Sequence, residues 1–407
     1  MKLLKGNLLT QILIAFVIAI ILGFIFGESI KVVEPLGDLF LRLIKFIIAP
    51  LVLSTLIVGV ASIGDPKSLG RIGLKTVIYY MATTAVAIAI GLAVAYVISP
   101  GKGLSIDMST TEDVDVEESE GVVDTFLNIV PENPFEALAE GEILQIIFLA
   151  IFVGLAITLI GEKGEPLKRF FDSLAEVMFW ITDIIMRFAP IGVLGLIAPI
   201  IGEYGASVLL PLLKIILAVA IACVIHAVLV YSGSVKAFAK MNPLVFFKGI
   251  APAAAVAFST ASSAGTLPVT IKNTQENLGV SNKISSFVLP LGATINMDGT
   301  AIYQGAAVVF IAQFYDLELS LTALLTVILT TVLASIGTAG VPGAGMIMLA
   351  MVLASINLPL EGIALIAGID RILDMFRTTV NIVGDSACAV SVAGSEKEID
   401  RTAFEKK

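Results

Sequence analysis

The sequence predicts an all-α membrane protein: eight transmembrane helices plus two oppositely oriented re-entrant helical hairpins, related as inverted repeats. Three observations carry that expectation. Of 407 residues, 57% are hydrophobic and 14% charged, whereas a soluble domain carries charge at about a quarter of its positions; the mean hydropathy is +0.99. Apolar runs of bilayer length recur near 8–27, 37–63, 74–99, 141–161, 170–202, 206–233, 284–312 and 360–392. Two more apolar segments, about 243–277 and 319–356, are interrupted midway by glycine, proline and serine, which do not run through a straight helix.

Taken in order, the chain opens MKLLKGNLLTQ and enters its first apolar run without an A-x-A-like cleavage site, so it reads as a first span and not a removed signal. Basic and acidic connections then alternate. Lys2 with Lys5, Lys67 with Arg71 and Lys75, Lys163 with Lys168 and Arg169, Lys236 with Lys240 and Lys248, and the tail of Lys397, Arg401, Lys406 and Lys407 fall on one side. Glu28, Glu34, the 107–124 region, Glu203, Asp316, Glu318 and Glu361 fall on the other, with Lys31 and Lys102 as lone exceptions. The positive-inside rule then places both termini in the cytoplasm of a multi-pass cell-membrane protein.

The same bias orients the interrupted segments. The first, tipped SSAGTLPV, has basic flanks that include Lys272 and Lys283, and enters from the cytoplasm; the second, tipped SIGTAGVP, has acidic flanks and enters from outside. Non-helical backbone at membrane depth must be buried in protein or line a cavity. Opposed broken helices meeting near the midplane are a way of building a binding site; chance likeness of two Gly/Ser tips is the competing explanation. The net charge of −9 and the lack of a basic patch exclude a nucleic-acid partner. Cys223 and Cys388 both fall in apolar spans, which argues against a disulfide or thiolate metal site. Asp107, Glu112, Asp113, Asp115, Glu117, Glu118 and Glu120 make one outer loop a solvated connection.

Chemistry concentrates in DRILDMFRTTVNIVGD, Asp370 to Asp385. Wound as a helix, Asp370, Asp374, Arg377, Thr378, Asn381 and Asp385 share one stripe about 100° wide. Such a stripe cannot face lipid. It is either an ion-paired buried seam or a site for a zwitterion and cations. The seventh run contains LGATINMDGTAIYQG, Leu291–Gly305, in which Asn296, Asp298, Thr300 and Gln304 sit amid apolar residues and Gly292 and Gly299 loosen the helix. An unwound turn there would present carbonyls, an amide and carboxylates, hard oxygen ligands suited to an alkali cation. In the third span, Tyr79, Tyr80, Thr83 and Thr84 offer hydroxyls that either complete an ion site or bond back to their own helix. Arg42, Lys45, Asp183 and Arg187 lie near span ends and read as snorkelling groups. His226, the single histidine, reads as a packed or interfacial residue. No hydroxyl nucleophile has a plausible base partner, so an enzyme is not expected.

SSAGTLP, NMDGT, SIGTAGVPGAG and DMFRTTVNIVGD, in this order, resemble the dicarboxylate/amino acid:cation symporters, the glutamate transporter family, and most of all its archaeal sodium–aspartate members. The resemblance implies a homotrimer working as an elevator. Residues 1–70 and 141–204 would be the scaffold, and residues 71–100 and 205–395 the transport domain. Within the latter would lie hairpin 243–277, helix 281–312, hairpin 319–356 and helix 360–392, with 101–140 an outer loop and 396–407 a cytoplasmic tail. It implies that Arg377 clamps the substrate side-chain carboxylate, Asp374 its ammonium, and Asn381 and Ser263 its α-carboxylate. Ala261, Ser262, Thr300, Thr378, Val341 and Gly345 would line the pocket. Three co-transported sodium ions would be held by Asp385 with carbonyls of Gly292, Asn296 and Asn381; by carbonyls of Thr294, Ser335, Ile336 and Thr338; and by Tyr80, Thr83, Thr84, Asn296 and Asp298. Gln304 stands where potassium-countertransporting animal relatives carry a proton-binding glutamate, which favours sodium coupling alone. Two departures stand out: Ala261 replaces an archaeal hairpin arginine, and Met375 occupies the animal position for it. Arg371 could substitute by reaching toward Asp374, or could pair with Asp370 or solvent. The resemblance therefore implies sodium-coupled import of aspartate or glutamate; the alternatives are a proton-coupled glutamate or C4-dicarboxylate symporter and an anion channel.

Overall fold

The computed structural model of the chain describes residues 8–62, 70–102, 127, 129–336 and 343–405. Most of the acidic outer loop, Lys2, Lys5, Lys67, Lys406 and Lys407, and the expected site residues Thr338 and Val341 lie outside the described residues. Among those described there is no strand, and a single antiparallel bridge joins Val280 to Ile399.

Helix α1 (Leu8–Phe26) leads through a 3₁₀ turn into α2 (Glu34–Ser62), followed by α3 (Gly70–Ile98), a short α4 (Pro134–Glu140), α5 (Ile143–Ile160) and the 40-residue α6 (Glu165–Tyr204). Then come α7 (Leu209–His226), a π-helical turn at Ala227–Tyr231, and α8 (Ser232–Ala239). The first interrupted segment is α9 (Pro243–Thr260) and α10 (Ser263–Glu276); the seventh run is α11 (Asn282–Ile295) and α12 (Asp298–Phe314). The second interrupted segment is α13 (Leu321–Ser335) and α14 (Ala344–Ala354). Short α15 (Ile363–Ala367), α16 (Asp370–Glu396) and α17 (Thr402–Glu405) complete the chain. Four helical stretches among the described residues, Thr10–Ala61, Gly70–Ile98, Ile143–Ala239 and Pro243–Thr260, are long and apolar enough to cross a bilayer.

Each break has a local cause. α9 stops at Ala261, which takes a left-handed φ of +50°, and α10 restarts behind Ser262, whose Oγ accepts from the Gly265 amide at 3.0 Å, an N-cap. α11 unwinds at Asn296 and Met297 before Asp298 restarts the helix, the interruption that NMDGT predicts. The last run departs from expectation. A continuous helix from about 360 is not formed; a 3₁₀ turn at Leu360–Gly362 and α15 precede Ile369, and α16 starts only at Asp370. Gly362 and Gly368 punctuate that stretch, and glycine carries the largest entropic cost of ordering in a helix. α16 also continues past residue 392, to Glu396, where Lys397 adopts φ +60° and ends it.

Packing sorts the helices into two groups. α1, α2 and α5 lie against one another's neighbours, with α6 running along both α1 and α2 and α5 along α2. In the other group α3 runs along α12 and also contacts α7, while α16 packs against α8, α9, α10, α11 and α12. α16 is therefore the hub on which the first interrupted segment and the α11–α12 break converge.

The chain end, expected as a tail, is docked. Glu396 is paired with Arg71 and with Lys75 (2.6 Å), Asp400 N donates to Gly279 O at 2.7 Å, and Arg401 donates to Ala239 O at 3.1 Å. These contacts tie α3, α8 and the α10–α11 turn to the end of α16. The hydrogen bond from Lys75 holds the Glu396 carboxyl below its ordinary range. A depressed carboxylate adds stability above its unfolded pKa and loses that contribution as pH falls through the folded value. Glu396→Gln is accordingly expected to lower the melting temperature at neutral pH. The gap from wild type should close as pH drops below ~4, read by thermal unfolding across pH.

Candidate functional site

The stripe predicted on α16 is buried: Asp370, Asp374, Arg377, Thr378, Asn381 and Asp385 all face the protein interior. Arg377, 1% exposed, lies with its guanidinium carbon 4.2 Å from the centroid of the Tyr303 ring of α12, a cation–π arrangement. Its Nη1 is 2.7 Å from Asp370 Oδ1 and its Nη2 is 2.9 Å from Asp374 Oδ1, while its buried Nε has no protein partner. Gly345 at the start of α14 is needed for this closeness: a Cβ there would stand 2.6 Å from the guanidinium carbon. Asp374 Oδ2 in turn accepts from the Gly343 amide at 3.4 Å, so α14 points its N-terminus at that carboxylate, the favourable end of a helix for negative charge. The Arg371 alternatives resolve: its Nη1 lies 3.5 Å from Asp374 Oδ2 and its Nη2 donates to Thr260 O at 2.9 Å.

Next to the guanidinium, the α11–α12 break meets α16. Asn381 Oδ1 accepts from the Gly299 amide at 2.8 Å, and its Nδ2 approaches Thr300 Oγ1 at 3.5 Å. Thr378 Oγ1 is 3.5 Å from Asp374 Oδ1. Ser263 is buried at the first turn of α10, with Ala261 buried and Ser262 capping beside it.

Two oxygen clusters flank this group. In one, Asn296 Nδ2 donates to both Asn381 O and Asp385 Oδ1, each at 2.9 Å, while Asn296 Oδ1 is buried without a protein partner. Gly292 faces the same point: a Cβ on it would lie 2.4 Å from Asp385 Oδ1 and 2.5 Å from the Tyr80 hydroxyl. The Tyr80 hydroxyl thus stands beside Asp385, and donates to Val288 O at 3.1 Å; the resemblance had grouped it with Asp298. The Thr83 hydroxyl also bonds back to its own helix, 3.2 Å from Tyr80 O.

In the other cluster, Asp298 Oδ1 accepts from Thr84 Oγ1 at 2.7 Å and Thr83 Oγ1 at 3.2 Å, so Thr84 turns its hydroxyl to the carboxylate. Oδ2 accepts from the Tyr231 hydroxyl at 2.8 Å and lies 3.2 Å from His226 Nε2. Sequence reasoning missed both of these partners. His226 is fully buried, not interfacial. On an α-helix, residues five apart point about 140° away from each other; the π turn at Ala227–Tyr231 widens the helix so that both rings reach one carboxylate. No sequence pattern announced that turn. The resemblance implies that carbonyls of Thr294, Ser335 and Ile336 hold a third ion together with Thr338, which lies outside the described residues. Thr294 is exposed on α11, and Ser335 and Ile336 are buried at the end of α13.

A sequence profile described as the sodium:dicarboxylate symporter family matches residues 8–395. The chain is 42% identical over 398 residues, 95% of its length and 94% of the relative's, to the "Proton/sodium-glutamate symport protein" of Geobacillus stearothermophilus. It is 40% identical, over 98% of its length and 95% of the relative's, to the "Proton/glutamate-aspartate symporter" of Escherichia coli. It is 37% identical, over 98% and 96%, to the "C4-dicarboxylate transport protein" of Bacillus subtilis. With the polar stripe buried against two broken helices and a match along nearly the whole chain, the protein belongs to the sodium:dicarboxylate symporter family.

Proposed function

We propose that this chain imports an acidic amino acid, L-aspartate or L-glutamate, across the cell membrane together with sodium ions, as a homotrimer of elevator-type protomers. The observation that carries the reading is Arg377, buried at the junction of α12, α14 and α16 and forked between Asp370 and Asp374. A guanidinium fork matches a carboxylate, and Asp374 matches an ammonium. The substrate would exchange these internal pairs for its own: its side-chain carboxylate on Arg377, its ammonium on Asp374, and its α-carboxylate on Asn381 and Ser263. Asp385 with Asn296, and Asp298 with Thr83 and Thr84, would hold two of the ions, and Asn296 Oδ1, buried without a protein partner, supports an oxygen ligand set there. The third would use Thr294, Ser335, Ile336 and Thr338. α1, α2, α5 and α6 would be the static scaffold, and the group centred on α16 would slide. Closure of the second interrupted segment would require both substrate and ions, so that neither moves alone.

The names of the relatives favour a second reading, coupling to protons with or in place of sodium, and one relative is named for C4-dicarboxylates. Radiolabelled uptake into proteoliposomes, under a sodium gradient and separately under a proton gradient, decides among these. Aspartate or glutamate uptake driven by sodium alone is expected. Uptake driven only by protons would replace sodium coupling, and uptake of succinate without either amino acid would replace the substrate.

A further inference from the structure

We infer that Arg371 is the second cationic residue of the substrate site, a positioning residue that holds Asp374 and supplies the charge that lets the site accept an anion. The inference rests on the acidic-substrate reading above. Arg371 is 11% exposed and stands between two elements. One of its nitrogens donates to the carbonyl of Thr260, the last residue of α9. Terminal carbonyls of a helix have no partner within it and form its negative end. Another nitrogen faces Asp374 Oδ2 at 3.5 Å. The Phe258 and Phe376 rings meet edge to face at 5.5 Å and fasten α9 to α16 nearby.

Asp374 is thereby shared. Its Oδ1 faces Arg377 at 2.9 Å, and its Oδ2 faces Arg371 and the Gly343 amide at the head of α14. One carboxylate links α16 to both interrupted segments, and Arg371 sets which way its second oxygen points. The charges balance as well. Asp370 and Asp374 carry two negative charges and Arg371 and Arg377 two positive ones. Without Arg371 the group would be net negative before a net-negative substrate arrives, and repulsion over a few ångströms in a low-dielectric site is costly. The buried Nε of Arg371, which has no protein partner, remains as a further donor.

The test compares wild type with Arg371→Gln, Arg371→Met and Arg371→Lys, reading L-glutamate and L-aspartate binding to purified protein in lipid nanodiscs. Thermal unfolding alongside confirms that each variant is folded. Arg371→Gln and Arg371→Met are expected to weaken both acids by about tenfold or more, and Arg371→Lys, which restores the charge, to recover most of the loss. A methionine variant that binds like wild type would mean that Arg371 only fills space. A lysine variant no better than glutamine, or a glutamine variant equal to wild type, would equally overturn the inference. Wild type that binds neither acid would overturn the proposed function first, and this inference with it.

Discussion

Arg377→Cys is expected to abolish uptake of aspartate and glutamate and to open the site to neutral amino acids. Arg377 is 1% exposed and is paired at 2.7 and 2.9 Å with two buried carboxylates. Removing it deletes the fork on which the substrate carboxylate would land. It also leaves Asp370 and Asp374 facing each other with Arg371 as the remaining counter-charge. Truncating one partner of a buried, hydrogen-bonded charge pair costs a ligand about 2–5 kcal/mol, so affinity for an acidic ligand should fall by about thirtyfold or more. The stranded carboxylates predict a lowered melting temperature in the same variant. Binding isotherms for aspartate, glutamate and a neutral amino acid such as serine test the assignment. Unchanged aspartate affinity would remove Arg377 from the site.

For Asp385→Asn the expected change lies in ion dependence. Asp385 is buried, and the side-chain donor that reaches it is the neutral amide of Asn296, with no salt bridge among the described residues. A buried carboxylate facing only dipoles carries a large desolvation cost until a cation or a proton joins it. The asparagine variant keeps the shape and removes the charge. Half-saturation by sodium should rise by about tenfold or more, while substrate affinity at saturating sodium should change far less. Sodium activation identical to wild type would show that this cluster is structural. A shift in pH dependence without any shift in sodium dependence would favour the proton-coupled reading.

Much of the site was legible in the sequence because it lies on one regular helix. The period of α16 placed Asp370, Asp374, Arg377, Thr378, Asn381 and Asp385 on a common stripe, and cost in lipid required that stripe to be buried; all six are buried. The α11–α12 break was equally legible, since Gly292, Gly299 and the polar run between them weaken helix locally. What failed to read were contacts made outside regular periodicity. His226 and Tyr231 reach Asp298 only through a π turn, and the Tyr80 hydroxyl stands beside Asp385 of another helix. The early part of the last run was read as helix because it is apolar, yet Gly362, Gly368 and Ile369 divide it.

By itself, the sequence determined the all-helical class, the breaks at Ala261–Ser262 and Asn296–Met297, and the identity of the buried charges. Those follow from hydropathy, glycine and proline chemistry and helical period, all of which act within a few residues. Only the tertiary structure decided how the charges pair. Arg377 divides itself between Asp370 and Asp374, Arg371 shares the second oxygen of Asp374 with the Gly343 amide and holds the end of α9, and Glu396 fastens the chain end to α3. Electrostatic energy depends on distance across space, and side chains far apart in the chain, such as Arg371 with Thr260 or Lys75 with Glu396, acquire that distance only when the helices pack.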